Sequence, residues 1–397
     1  MARTNTRGAR AMGAAALLAL CLAGGPAAAQ ELDIRIAFLT QEVEPPPTLA
    51  NLDPPPADEG LQGARLAVSD SNTAGKFLKH RYRMDEVVVP QGGDVAAAMD
   101  RLAADGHRFV VTHLRADALS RALATPAAAG MLVFNAGAPD DALRNAGCRA
   151  NLLHTLPSRA MLADALAQFL VKKRWPRWFL VVGPRPEDAL YADAVRRAAK
   201  RFGAKIVAEK AWTGDSDVRR TAQAEVATFT QGPGYDVLVV ADEAGDFGNY
   251  LPYQTWDPRP VAGTAGLVPA AWGRAIEAWG AVQLQERFRT QAGRWMTPAD
   301  YAAWVAVRTV AEAVTRAKSA DHATLSATIR ADGFEVGAHK GRRVSYRPWD
   351  GQLRQPIPLL TPVSLVAEAP QEGFLHPLTD LDTLGHDRPE SGCKAAK

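Results

Sequence analysis

Residues 178–208, WFLVVGPRPEDALYADAVRRAAKRFGAKIVA, decide the fold. The run from Trp178 to Val182 is short and apolar with no alternating polar face, as expected of a strand covered on both sides. In YADAVRRAAKRFG, Val195, Ala198, Ala199 and Phe202 share one helical face, and Gly203 stops the helix. KIVA, 205–208, then reads as a second strand. Strand, helix, strand is the repeating unit of a parallel sheet with helices on its faces.

The same alternation extends in both directions. Further strand candidates are IRIAFL (34–39), DEVVV (85–89), FVVT (109–112), MLVF (131–134) and DVLVV (236–240). DVAAAMDRLAADG reads as a helix with Asp94 as N-cap, ending near Gly106. TPADYAAWVAVRTVAEAVTRA is the clearest helix. Thr297 caps it, Pro298 takes the first helical position, and Asp300 can reach back as in a capping box. Two series emerge, about 31 to 155 and 156 to 265, so the expected fold class is α/β with two doubly wound parallel-sheet lobes. GRRVSYRPWDGQLRQPIPLL (341–360) reads as a hairpin turning at WDGQ. From about residue 367 the chain is Pro- and Gly-punctuated without periodicity.

The N-terminus sets the expected compartment. Arg3, Arg7 and Arg10 precede the apolar AMGAAALLALCLAGG, and PAAAQ closes it with an Ala-x-Ala pattern. That predicts a signal peptide over 1–29, cleaved after Ala29. The apolar run is short for a membrane span. A lipoprotein reading of Cys21 meets Leu20 where a small residue belongs. Of 46 Lys+Arg, three leave with the leader, so 43 face 43 Asp+Glu in the mature chain. A formally neutral protein gives no support for nucleic-acid binding. Two cysteines remain, Cys148 and Cys393, and in an oxidising compartment the pair reads as a disulfide more readily than as two free thiols. A soluble, monomeric, periplasmic protein is expected.

Catalytic signatures are missing. There is no G-x-G-x-x-G after the first strand, and no P-loop, G-x-S-x-G, H-E-x-x-H or C-x-x-C. The histidines are scattered singly. His113, at a strand end, is the one placed where chemistry usually occurs, and a hydrogen-bonded structural role suits it as well. No enzyme activity and no organic cofactor are expected.

The order of elements resembles the leucine/isoleucine/valine-type (type I) periplasmic binding proteins. DEGLQGARLAVSDSN is similar to their opening helix, and LLHTLPSRAMLADALAQFLVKKRWPRWFLVV to their first crossover into the second lobe. TPADYAAWVAVRTVAEAV is similar to their long return helix, and YRPWDGQLRQPI to their closing hairpin. The resemblance implies two lobes joined by three crossovers, closing on a small ligand. It places lobe 1 at 30–155 plus 270–333, lobe 2 at 156–269 plus 334–366, and a C-terminal extension at 367–397. NLDPPPADEGLQGARLA, NLLHTLPSRAMLADALAQFLVKKRWPRWFL and the tail LDTLGHDRPESGC resemble a narrower branch. That branch accompanies PQQ-dependent (quinoprotein) alcohol dehydrogenases and is described as the substrate-binding component of an ABC transporter. In it, Cys393 would anchor the extension to Cys148. The implied partners are an ABC permease and, more remotely, a quinoprotein dehydrogenase system. The alternative is a sensor or accessory protein of the same fold acting without transport.

The family's amino-acid binders hold the α-carboxylate with hydroxyls after two first-lobe strands. Here those places read THLRAD and NAGAPDD, giving His113, Leu114 and Arg115 for the serines and Gly137, after Asn135, for the threonine. The acid that meets the ammonium is replaced by Ala265. The resemblance thus implies a ligand other than an α-amino acid. Asp188 and Tyr191 stand where the family's second-lobe Asp and Tyr line the ligand. Asp242 and Glu243 follow a central second-lobe strand, where they contact ligand or merely cap the next segment. The loop QEVEPPPTLANLDPPPADEG (41–60) carries Glu42, Glu44, Asp53, Asp58 and Glu59 between two Pro-Pro-Pro runs. It is either a solvated rim or permease-docking surface, or, with Asp242 and Glu243, an oxygen-ligand site for a hard cation such as calcium or a lanthanide. Quinoprotein dehydrogenases use such a metal, which the resemblance brings into question here. An organic ligand whose carboxylate meets Arg115 is the rival.

Overall fold

The structure, a computed structural model, describes residues 1, 31–44, 55–213 and 225–394. The expected signal peptide and Asp53 lie outside the described residues, apart from Met1. The first sheet is built from β1 (Leu32–Gln41), α1 (Leu61–Leu78), β2 (His80–Val89), α2 (Val95–Ala104), β3 (Phe109–His113), α3 (Ala116–Leu123), β4 (Leu132–Asn135) and β5 (Leu152–His154). Its strands run parallel in the order β2-β1-β3-β4-β5. The second follows with α4 (Arg159–Lys172), β6 (Arg177–Val182), α5 (Pro186–Phe202), β7 (Lys205–Ala211), β8 (Val237–Ala241) and β9 (Val261–Gly263), parallel in the order β7-β6-β8-β9. Each order reverses about its first strand, so helices cover both faces, and the central strands are buried along their length.

The caps read from the sequence form. The Asp94 carboxylate accepts from the N–H groups of Ala96 and Ala97 at 2.9 and 3.1 Å. Gly203 ends α5 in the left-handed region, with φ 77°. After β10 (Val268–Pro269) the chain returns to the first core through α6 (Ala281–Ala292), α7 (Pro298–Ala317) and α8 (His322–Arg330). Thr297 and Asp300 close the capping box of α7. The same Asp300, with no exposure, accepts the Gly60 N–H at 2.8 Å and pairs with Arg294 at 2.6 Å. It thereby ties the end of the acidic loop to α7. The two helices pack so closely that a Cβ on Gly63 would lie 1.8 Å from the Asp300 carbonyl oxygen.

The closing part departs from expectation in two ways. Residues 334–353, expected in the second lobe, carry β11 (Val336–Gly337), β12 (Arg343–Tyr346) and the start of β13 (Leu353–Arg354). Their Phe334, Val336, Val344, Tyr346 and Leu353 join the first core. The chain then crosses to β14 (Ile357–Leu360), whose Ile357 and Leu359 join the second. The tail does not begin aperiodically at 367 either. Residues Leu365–Ala369 form β15, antiparallel to β14, because Ala369 completes the second core. Three crossovers therefore connect the lobes: β5 to α4, β10 to α6, and β13 to β14. Cys148 and Cys393 are disulfide-bonded, with Cα atoms 5.6 Å apart. Among the described residues no helix is long and apolar enough to cross a membrane.

His154, fully buried at the first crossover, is held neutral, because burial and then the Arg144 charge push its pKa well down. The folded protein refuses a proton that the unfolded chain accepts near pH 6.5, so this residue costs stability as pH falls, about 1.4 kcal/mol per unit. His154→Gln should be less stable than wild type near neutrality, and the gap should close on acidification to about pH 5.5. Denaturant midpoints across that range would show it. A gap that widens in acid contradicts the assignment.

Candidate functional site

The residues singled out for ligand contact cluster at the carboxyl ends of β3, β4, β6 and β8: His113 and Asn135 close their strands, Arg115, Gly137, Asp242 and Glu243 follow strand ends, and Asp188 and Tyr191 lie in the first turns of α5. That is where open parallel sheets bind ligands. At the first-lobe wall, the His113 side chain is 26% exposed and its Nε2 lies 3.7 Å from a Glu59 oxygen. Burial lowers its pKa, while the Glu59 and Asp300 charges oppose that shift. Gly137 sits against it. A Cβ there would be 2.9 Å from both His113 Cδ2 and the Leu114 amide nitrogen. No hydroxyl side chain fits at this position while the imidazole is in place. Leu114 points into the core at 3% exposure.

Three candidates spend their polar groups inside the protein. Asn135 is fully buried. Its oxygen accepts from Gly137 N and Ala138 N at 3.2 and 2.9 Å, and its amide donates to the Ala138 carbonyl at 2.8 Å. Asp188 accepts the Glu243 N–H at 2.7 Å and the Arg185 N–H at 3.0 Å. Asp242 accepts from Asp246, Phe247 and Gly248 N–H groups at 3.0, 2.9 and 2.6 Å. These carboxylates shape the strand-end loops, which is the capping alternative for Asp242, and burial raises the Asp188 pKa despite its donors.

Glu243 instead meets a residue that sequence reasoning passed over. Arg159, 4% exposed at the start of α4, donates to both Glu243 oxygens at 2.8 and 2.7 Å. Its remaining Nη1 lies 3.1 Å from Asp140, on the loop after β4. The one signal available was a charge opening a mainly apolar helix; nothing in sequence pairs it with residues from two different sheets. Tyr191, 2% exposed, stands in the field of Glu243, with a hydroxyl that has no hydrogen-bond partner among the described residues. Arg115, at the N-cap position of α3, forms an ion pair with Glu187 in the first turn of α5, from one lobe to the other. Glu187 was also missed.

The candidate cation cluster, the alternative to a solvated rim, is not assembled among the described residues. Asp58 is engaged by Arg294 at 2.9 Å and Gln62 at 2.9 Å, Glu243 by Arg159, and Asp242 by backbone amides. Glu42 and Glu44 are exposed, and Glu59 faces His113. Among the described residues no group of three or more His, Cys, Asp or Glu could hold a metal ion. A carboxylate already paired with a buried or half-buried arginine is a poor ligand, since binding a cation would unpair the arginine.

Residues 55–364 match the model of the family described as periplasmic binding protein. The chain belongs to that family. Solved structures share its fold at low identity. A branched-chain amino acid ABC transporter periplasmic ligand-binding protein from Burkholderia xenovorans is 16% identical, with 92% of this chain and 100% of that one aligned at a TM-score of 0.70. The branched-chain amino-acid binding protein LivJ of Streptococcus pneumoniae, in complex with isoleucine, is 18% identical over 85% and 98% at 0.62. A solute binding protein from R. palustris, in complex with benzoate, is 12% identical over 91% and 99% at 0.63. No curated protein matches the sequence. The two sheets and three crossovers of this chain are thus those of a periplasmic binding protein, and its strand-end loops form the facing walls between the lobes.

In this setting Asp242 is a structural carboxylate. Asp242→Ala would leave two buried amides and one part-buried amide without an acceptor and should cost about 2–4 kcal/mol in denaturant unfolding. Asp242→Asn should cost less, since one oxygen remains. An Ala variant as stable as wild type would return Asp242 to the ligand.

Proposed function

We propose that this chain is the periplasmic ligand-binding component of an ABC importer, and that its ligand is a small organic carboxylate lacking an α-ammonium group. The pairing of Arg115 with Glu187 across the lobes carries the reading. Arg115 is an exposed cleft guanidinium whose carboxylate partner comes from the opposite lobe, and a guanidinium is suited to bidentate carboxylate recognition. Glu187 occupies the position a ligand carboxylate would take. The pair is exposed, so exchanging Glu187 for a ligand forfeits only about 0.2–1 kcal/mol.

The rest of the wall supports the same class. A hydroxyl clamp has no room beside His113 at Gly137, and Ala265 offers nothing to an ammonium. The unpartnered Tyr191 hydroxyl would gain from a ligand acceptor, because a buried donor left unmade is costly. Benzoate bound to the R. palustris protein supports the fold's capacity for a carboxylate without an ammonium. The resemblance of the 51–67, 151–180 and 381–393 stretches to the quinoprotein-associated branch supports placing the importer beside alcohol oxidation, where carboxylates are products.

Calorimetry on the mature protein tests the ligand class. Leucine should not bind at micromolar concentration, while a member of a monocarboxylate panel should. Arg115→Gln should weaken that binding at least tenfold. Glu187→Gln, which removes the internal competitor, should tighten it about two- to fivefold. Submicromolar leucine affinity, or binding indifferent to Arg115, overturns the reading.

A further inference from the structure

Residues 370–393, which follow β15, leave the second lobe and reach the first. The early part is fixed to the second lobe. Gln371 N donates to Gln168 at 3.0 Å, Phe374 packs edge-on against Phe202, and Leu384 is buried in the second core. The deepest anchor is Gly385. Its N–H donates at 2.8 Å to Asp164, a fully buried carboxylate on α4, and its carbonyl accepts from Arg197 and Arg201 of α5 at 2.9 and 2.6 Å. Both arginines also reach Asp164, at 3.0 and 2.9 Å, so the buried charge is paired on two sides.

Between these points the tail is bound to the crossover region. Asp382 receives Arg347 at 2.9 Å and Arg354 at 2.8 Å, and Arg347, 1% exposed, also donates to the Leu384 carbonyl at 2.6 Å. Beyond Gly385 the contacts shift toward the first lobe, where His386 Nδ1 lies 3.9 Å from Asp141. Glu390 still holds Arg197 of α5 at 3.1 Å, but Gly392 N donates to Asn145 at 3.2 Å, and Cys393 is bonded to Cys148. Asn145 and Cys148 lie on the loop between β4 and β5, beside Leu143 of a first-lobe cluster.

We propose that residues 370–393 form a fourth, disulfide-closed connection between the lobes, a strap that limits how far they separate. Reach supports a limit. Only three residues join the Glu390 pair to Cys393, at most about 10–11 Å of chain, and the eight from Gly385 span at most about 26–29 Å. The Glu390 pair is half-exposed and yields first; the buried Gly385 anchor does not. The strap therefore carries a short slack and then a stop, where a chain ending at the hairpin would have neither.

Small-angle scattering of ligand-free, full-length mature protein tests the strap without reference to the ligand. Two variants are compared with wild type: Cys148→Ser with Cys393→Ser, and an insertion of Gly-Ser-Gly-Ser after Glu390 that keeps the disulfide. Both should show a larger radius of gyration and maximum dimension, while near-ultraviolet circular dichroism reports native packing. The insertion matters because it lengthens the strap without opening the covalent loop. If the inserted variant is folded and its dimensions equal those of wild type, the strap sets no limit and the disulfide is a local staple. If only the serine pair expands, loss of the cross-link rather than strap length is responsible, and the proposal also fails.

Discussion

The Arg159 guanidinium holds together the part of the molecule on which the rest depends. It is buried where the first crossover becomes α4, and it takes Glu243 from the second sheet and Asp140 from the first. A charge so nearly removed from water is tolerable only when it is paired, and the loops after β4 and β8 supply the two carboxylates. Each loop is in turn fixed behind its carboxylate. Asp188 grips the Glu243 amide, and Asn135 fastens the turn leading to Asp140. The cleft walls are therefore positioned by groups that strand-end position alone would assign to a ligand.

That overlap explains where sequence reading stops. Carboxylates and amides at the ends of parallel strands are used both to satisfy loose backbone N–H groups and to bind solutes, and both uses call for the same residue types at the same offset from the strand. Asp242 and Asn135 carried no mark of which it would be. What separates them is whether the loop curls back within hydrogen-bond distance, a property of the folded backbone. His113 and Gly137 are clearer. An imidazole beside a glycine where a hydroxyl pair is expected already points to altered chemistry, and the 2.9 Å approach supplies the reason for the glycine.

The architecture was far more legible than the site. β1, β3, β6 and β8 announced themselves as apolar runs because strands buried on both faces need no alternation, and α2 and α7 because their caps are local chemistry. The elements missed are short or late. β5 and β9 have three residues each, too few for any period, and β15 is defined by its partner β14 rather than by its own sequence. The assignment of 334–353 to the second lobe failed for a related reason. The hairpin belongs to the first core through Val344, Tyr346 and Leu353, contacts separated by hundreds of residues in some cases from those they meet.

The distribution of ion pairs by depth then has a functional sense. At the crossovers the pairs are buried and shared: Arg159 with Glu243 and Asp140, and Arg347 and Arg354 with Asp382. Breaking one leaves an uncompensated charge, so such pairs act as permanent fixtures. Between the lobe tips, Arg115 and Glu187 make an exposed pair, worth little and readily exchanged. A ligand shifts the balance between open and closed lobes only by its differential affinity for them. If the tips were held by a buried network, closure would need no ligand and report none. In the function proposed above, a weak pair at the tips and strong ones at the hinge would leave the free energy of closure for the ligand to supply.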